Sequence, residues 1–318
     1  MRYFITVLIG LFFMHLWHDI RAQGCSDAGF CTMGAMKPDQ PFNKKIELRL
    51  RSMDLSFYRG QTTLSPVIYV ATADMNFGLN SRTSFQIKVP YQRVSGNLGE
   101  TSGLADLSLC ITKNIYTSEL FDINLSLGTK IPTNDSNKDA ADTLAGGRRP
   151  LPMYYQTSLG TYDFITGISL ISREWLFAAG VQHPFNRNDN QFRWSDWPDY
   201  PTPEYLEDND PAVELKRGTD VMLRIERNFR FSRVNFSAGL LPIYRITRDE
   251  IFRPATMKRE KPDGTTGLAL SAIITAGYNF NVRSGIKFLY GKKITQREFN
   301  PDGLTRNAVT TISYYYKF

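Results

Sequence analysis

Residues 304–318 read Leu-Thr-Arg-Asn-Ala-Val-Thr-Thr-Ile-Ser-Tyr-Tyr-Tyr-Lys-Phe. Ala308, Thr310, Ile312, Tyr314, Tyr316 and Phe318 fall on one face of an extended chain. Asn307, Thr311, Ser313 and Lys317 fall on the other, with Val309 and Tyr315. Alternation with a period of two specifies a strand rather than a helix. An aromatic face of this kind has two homes: a protein core, or lipid with the rings at the membrane–water boundary. The choice depends on whether the rest of the chain repeats the pattern.

It repeats about twelve times. Ile46, Leu48 and Leu50 alternate with Glu47, Arg49 and Arg51, and then the phase slips so that Met53, Leu55 and Phe57 continue the apolar face. A one-residue slip predicts a β-bulge. Similar alternation covers Val67–Phe77, Phe85–Tyr91, Leu107–Ile111, Phe121–Leu127, Trp175–Val181, Val221–Ile225, Val234–Leu240, Leu268–Tyr278 and Ile286–Tyr290. Met153–Leu170 is also expected to be strand, with its phase undetermined. The connections alternate in length. Those near Phe77–Ser81, Tyr116–Glu119, Ser172–Arg173, Phe229–Ser232 and Phe280–Arg283 are short. Those near Asn97, Asn137, residues 186–216, Pro254 and Pro301 are longer and polar. A soluble sandwich gives no reason for every second loop to be long, whereas a transmembrane β-barrel does.

Hydropathy agrees. The chain is 42% hydrophobic with a mean hydropathy of −0.31, too polar for a bundle of membrane helices. A barrel wall turns only alternate residues to lipid, so its average looks soluble. The 16 Tyr and 21 Phe suit interfacial girdles. The net charge of +7 is dispersed with no Lys/Arg block, which argues against nucleic acid as a partner. The expected fold is an all-β, antiparallel transmembrane barrel of about twelve strands with short periplasmic turns and long outer loops.

The only long apolar run, Phe4–Trp17, follows Arg2 and is shorter than the ~20 residues a membrane helix needs. It reads as an export signal spanning residues 1–22. Residues 23–43 are irregular and are a possible plug; residues 44–318 form the barrel. Cys25 and Cys31 either close a small disulfide loop in an oxidising compartment, or Cys25 carries a lipid. Cys110, in an alternating segment, is expected to be a small packed side chain. The C-terminal strand ending in Phe318 resembles the closing strand of outer-membrane barrels, which the barrel assembly machinery reads.

Three short motifs carry a family resemblance. They are Val89-Pro90-Tyr91 at a strand end, Ser102-Gly103-Leu104-Ala105-Asp106-Leu107 opening the next strand, and Lys130-Ile131-Pro132-Thr133 ending a third. Together they resemble the "MetA-pathway of phenol degradation" family of outer-membrane barrels, which is broadly similar to fatty-acid transporter-type barrels. Ala105 replaces that pattern's usual second Gly. The resemblance implies a channel for small, mostly hydrophobic molecules in the cell outer membrane, needing no cofactor.

If the strand phases hold, Glu47, Arg49, Arg51, Lys88, Asp106, Asp122, Lys130, Arg224, Glu226 and Lys287 point into the lumen, because charge on the lipid face costs ~2–4 kcal/mol near the midplane. Mixed charges there leave two readings open: a filled, ion-paired interior, or a weakly anion-favouring pore. In the longest loop, Trp194, Trp197 and Tyr200 are candidate ligand contacts, with self-packing of the loop as the alternative. His183 closes a strand. No nucleophile-elbow motif accompanies it, and the three Cys and one mature-chain His give no metal-site spacing, so neither catalysis nor a metal site is expected.

Overall fold

The computed structural model describes residues 49–62, 66–142, 147–198, 202–207, 210–253, 256–304 and 306–318. The expected signal, the irregular segment with Cys25 and Cys31, and Glu47 lie outside the described residues.

Among the described residues, seventeen strands follow in order: β1 (Arg49–Thr62), β2 (Val67–Gly78), β3 (Thr83–Gly96), β4 (Gly99–Leu104), β5 (Leu107–Thr117), β6 (Phe121–Ile131), β7 (Asp139–Asp142), β8 (Gly147–Pro150), β9 (Asp163–Ser172), β10 (Trp175–Pro184), β11 (Asp220–Arg230), β12 (Val234–Arg245), β13 (Ile251–Arg253), β14 (Lys258–Glu260), β15 (Gly267–Asn279), β16 (Ser284–Thr295) and β17 (Arg306–Lys317). β4 and β5 both pair with β3 and form one interrupted wall segment. The wall is therefore a closed, antiparallel, twelve-stranded barrel. Closure is between β1 and β17, in register from Ser52↔Lys317 to Gln61↔Ala308. The hairpins β7–β8 and β13–β14 lie outside the wall, within the loops.

The alternation predicts this wall because it sorts side chains by face. Outward residues such as Phe57, Leu127, Ile168, Phe177, Phe236 and Ile312 are exposed. Their inward neighbours Thr72, Asn124, Ser126, Ser169 and Ser237 are buried. Soluble monomers rarely show contiguous apolar patches above a few hundred Å²; here the apolar belt runs right round the wall, as a lipid-facing surface does. Most wall strands have 10–14 residues, enough for a tilted strand to cross hydrocarbon. Closure leaves no wall strand with an unpaired edge in lipid.

The phase slip near Leu50 is a bulge: β1 pairs Leu50 with Phe77 and then Ser52 with Asn76, leaving Arg51 extra. The five short turns all gather at one end of the barrel and the long loops at the other. Cys110 is a buried free thiol in β5, packed near Ile165 and Leu176. One expectation fails. Residues 153–162 are not strand: Met153–Tyr155 is a 3₁₀ turn, and β9 begins only at Asp163. Residues 151–159 are uniformly buried rather than alternating, because this stretch leaves the wall and folds into the outer mouth.

Candidate functional site

Inside the wall, direct cross-strand neighbours build one polar row. Asp54 pairs with Asp74, Asp74 with Lys88, Lys88 with Ser108, Ser108 with Lys130, and Lys130 with Asp163, across six successive wall strands. The facing wall is different. Ile165, Leu176, Ala178, Met222, Leu241, Ile243 and Ile273 form an apolar cluster inside the barrel, interrupted by Arg224 and Glu226. These two pair with each other, Arg224 Nε donating to Glu226 Oε1 at 2.9 Å. Between the walls lies a cavity of ≈ 340 Å³. It reaches from Tyr154, Gln156 and Leu159 near the long-loop end to Asn228, Arg230 and Asn235 near the short turns. Twelve strands enclose more room than an eight-stranded barrel, which side chains fill, and far less than a 16–18-stranded porin.

The outer end of the cavity is bounded by the inward segment. Leu151, Met153, Tyr154, Tyr155 and Leu159 pack with Val94 and Leu98 of the β3–β4 hairpin and with Phe192, Trp197, Leu206 and Leu304 from other loops. Its backbone is held by side chains. Gln92 Nε2 donates to the Gln156 carbonyl at 3.0 Å, Leu98 N–H donates to the Tyr155 hydroxyl at 3.1 Å, and Thr101 Oγ1 donates to the Tyr155 carbonyl. Asn190 Nδ2 donates to the Leu151 carbonyl at 2.9 Å. Gly160, at φ +66°, lets the chain turn from this segment toward β9 without the strain a side chain would meet.

The segment also meets the wall at a buried carboxylate. Asp106 accepts a 2.5 Å hydrogen bond from Ser158 Oγ and a 3.2 Å bond from the Leu159 N–H, and pairs with Lys130 Nζ at 3.2 Å. All three motifs noted in the sequence converge here. Pro90 sits inside β3 rather than at its end, and having no N–H it cannot complete the ladder opposite Ala105. Ala105 N–H still donates to the Pro90 carbonyl at 2.9 Å, but the β4–β5 segment breaks at Ala105–Asp106. Thr133 Oγ1 closes the corner by donating to the Ala105 carbonyl at 2.6 Å.

A knot of buried charge fixes the loops to the rim. Arg245 makes a bidentate pair with Asp220 at 2.8 Å through both Nε and Nη2, and bonds Asp249 through Nη1 at 2.7 Å. Arg217 pairs with Asp163 at 2.7 Å. Asp249 also accepts the Gly218 N–H at 2.6 Å. Burial pushes the Asp249 carboxyl up from the ordinary carboxylate range, against the pull of Arg245 and Arg297. Burial also pushes the Arg297 guanidinium down, and neighbouring Arg245 adds to this.

Of the residues marked in the sequence as lumen-lining, Lys88, Asp106, Lys130, Arg224, Glu226 and Lys287 line the cavity. Three others do not. Arg49 is exposed at the short-turn end. Arg51, displaced by the bulge, donates to the Asn80 carbonyl at 2.8 Å at that rim. Asp122 is half-buried near the Thr117–Phe121 turn, below the cavity. In the long loop, Trp197 is buried in the apolar cap, with the Arg149 guanidinium 5.8 Å from its ring; it is therefore packing rather than a surface contact. Trp194 is exposed, and Tyr200 lies outside the described residues. His183 projects outward, with Nδ1 2.8 Å from Thr219 Oγ1.

The chain matches no family profile and no curated protein. Among solved structures it is similar to the COG4313 outer membrane channel from Pseudomonas putida F1, at 14% identity and a TM-score of 0.59, over 89% of this chain and 100% of that one. Weaker likenesses include the NanC porin, at 10% identity and a TM-score of 0.45 over 85% of this chain and 100% of that one. The CymD monoaromatic hydrocarbon channel is 12% identical with a TM-score of 0.41 over 94% and 98%. The first of these matches the barrel architecture across almost the whole chain.

Proposed function

We propose that this chain is an outer-membrane channel for passive passage of small molecules, gated at its outer mouth by residues 151–159. The observation that carries the reading is the cavity of ≈ 340 Å³ that runs inside a wall whose outer surface is apolar. It is lined by both signs of charge and by apolar groups, the interior expected of a selective passage rather than a hydrophobic core. Residues 1–22 supply the export signal, lipid surrounds the belt, and the strand ending in Phe318 is the element offered to the barrel assembly machinery. The three motifs of the phenol-degradation family support membership in that family, because they meet at a point where the wall holds the gate.

Planar-bilayer conductance and solute uptake into liposomes test the channel reading, using the mature chain and a variant lacking residues 24–42. Absence of both current and uptake in the two forms refutes it. The inward segment itself favours a second reading, a non-conducting scaffold that displays its loops. That reading requires the barrel to stay silent even when the segment is released from Asp106.

A further inference from the structure

The short-turn end of the barrel is basic as well as aromatic. Four of its five turns carry an exposed arginine: Arg82, Arg173, Arg233 and Arg283. None of these four side chains pairs with an acid among the described residues. The same turns hold two acids, Glu119 and Glu174. Their tips are oily: Leu120, Phe231 and Val282 are exposed, Val282 to 91%. Arginine mixed with exposed apolar side chains suits the headgroup layer, between hydrocarbon and bulk water.

The charge concentrates at one place on the wall. Arg227 lies on the outward face of β11, with the exposed Leu223, Ile225 and Phe229. Trp175 is opposite it on β10. The guanidinium carbon stands 5.2 Å from the centre of the Trp175 ring and 5.5 Å from that of Phe229, a position that cation–π attraction favours. Its Nη2 is also 3.3 Å from Glu174 Oε2, a contact that uses one of five N–H donors. Asn228 N–H donates to the Glu174 carbonyl at 2.6 Å. This bond sets the β9–β10 turn, and Arg173 with it, beside the foot of β11. Arg233 sits in the turn that β11 runs into. Glu226 is turned into the lumen, where it pairs with Arg224, and Asp122 shares the inward parity of Asn124 on β6. On the outer surface, three arginines therefore share one stretch of rim with one carboxylate. The excess positive charge remains after Glu174 has paired with Arg227.

A phosphodiester fits this chemistry. It is an anion that only accepts hydrogen bonds, and the guanidinium fork matches its oxygens. The short turns face the periplasm, and so the leaflet built of phospholipid. We propose that Arg173, Arg227 and Arg233, framed by Trp175 and Phe229, form a seat for the headgroup of an anionic phospholipid in that leaflet. The phosphodiester accepts from the guanidinium groups, and the acyl chains lie along Phe177, Ile225 and Leu223. The seat is outside the wall, so it stands or falls independently of passage through the lumen.

Trp175 serves as the reporter, because among the described residues it is the tryptophan on the lipid-facing wall. The barrel is reconstituted in phosphatidylcholine vesicles, and phosphatidylglycerol or phosphatidylethanolamine with brominated acyl chains is titrated in. Quenching of indole fluorescence then gives the relative affinity of each lipid. Each arginine near an anionic headgroup is worth roughly fivefold in affinity. Three arginines less Glu174 should therefore favour phosphatidylglycerol by about twentyfold. Arg227→Gln should cut that preference roughly fivefold, and Arg227→Lys should keep most of it. Arg59→Gln, which removes an exposed arginine at the long-loop end of β1, should leave it unchanged. Every variant is first shown to be folded by heat-modifiable gel migration. Equal quenching by the two lipids overturns the proposal. So does a preference that survives replacement of all three arginines by Gln, or one that Arg59→Gln lowers as much as Arg227→Gln does. Loss of the preference on adding millimolar inorganic phosphate at constant ionic strength identifies a site for small anions instead, and equally overturns the lipid seat.

Discussion

Removing the Asp106 carboxylate should open the pore. Asp106 is one point where the wall grips residues 151–159, through Ser158 Oγ at 2.5 Å and the Leu159 N–H at 3.2 Å. Hydrogen bonds to a charged acceptor contribute about 1.5–3 kcal/mol each, so two of them make the grip worth at least ~3 kcal/mol. Asp106→Ala also takes an ion-pair partner from Lys130, which is buried beside it. Because Lys130 pairs across the strand with Asp163, part of its charge is still compensated, which keeps the cost near the lower bound. At about 1.4 kcal/mol per factor of ten, the ratio of released to seated segment should rise roughly a hundredfold. Ser158→Ala removes one of the two bonds and should raise it by about tenfold on the same scale. Asp106→Asn keeps an acceptor oxygen and should fall between. Single-channel recording in planar bilayers reads this directly, as open fraction and as conductance of the open level. If Asp106→Ala, shown to be folded by heat-modifiable migration, has the open fraction and conductance of the unmodified chain, the segment is not a gate and Asp106 is only part of the wall.

Other consequences of the structure are open to measurement. Ile274→Arg places a charge on the lipid face of β15, whereas Thr275→Arg places it in the lumen; unfolding by denaturant in vesicles should show a loss of ~2–4 kcal/mol for the first and a smaller change for the second. Arg245→Met leaves Asp220 and Asp249 buried without their shared partner, a cost of about 3–5 kcal/mol. Its effect should be faster proteolysis within residues 246–266, with the wall still heat-modifiable. In a Cys25→Ser, Cys31→Ser chain, Cys110 should resist maleimide in the folded barrel and react on unfolding, because its thiol is buried; rapid labelling of the folded form would refute the packing described. Deleting Phe318 removes a backbone bond to the Arg51 carbonyl at 2.9 Å and an edge contact with Tyr316. It should lower the yield of assembled barrel in outer-membrane fractions more than it lowers the stability of barrel refolded in vitro.

The wall was legible in the sequence because a strand's two faces are set by parity alone, and parity survives any error in strand ends. The bulge at Arg51 was legible for the same reason: a change of phase has one structural meaning. The lumen charges followed wherever the parity was clean, as at Lys88, Lys130 and Arg224. Arg49, Arg51 and Asp122 lie near the short-turn rim and do not line the cavity, because parity gives a face but no height. The inward segment was not legible. Leu-Pro-Met-Tyr-Tyr-Gln-Thr-Ser-Leu has a strand-like composition, and what buries it is Val94, Phe192 and Leu206, contributed by distant parts of the chain. A signal was present in its lack of alternation between Pro150 and Gly160. The Asp163–Arg217 and Asp220–Arg245–Asp249 contacts carried no signal in the sequence, because only the folded barrel brings their strand ends together. The same holds for Trp197, whose burial depends on three other loops.

The ring is sealed between its first and last strands, Ser52 lying against Lys317 and Gln61 against Ala308. No partial length of this chain therefore has a complete wall. Each growing intermediate carries two bare edges and an oily exterior, and long-range pairings of this kind form slowly. Delivery must keep the polypeptide unfolded until its last residues arrive, so the rate at which escorts release it, and not the local speed of hairpin formation, should govern how quickly the protein matures.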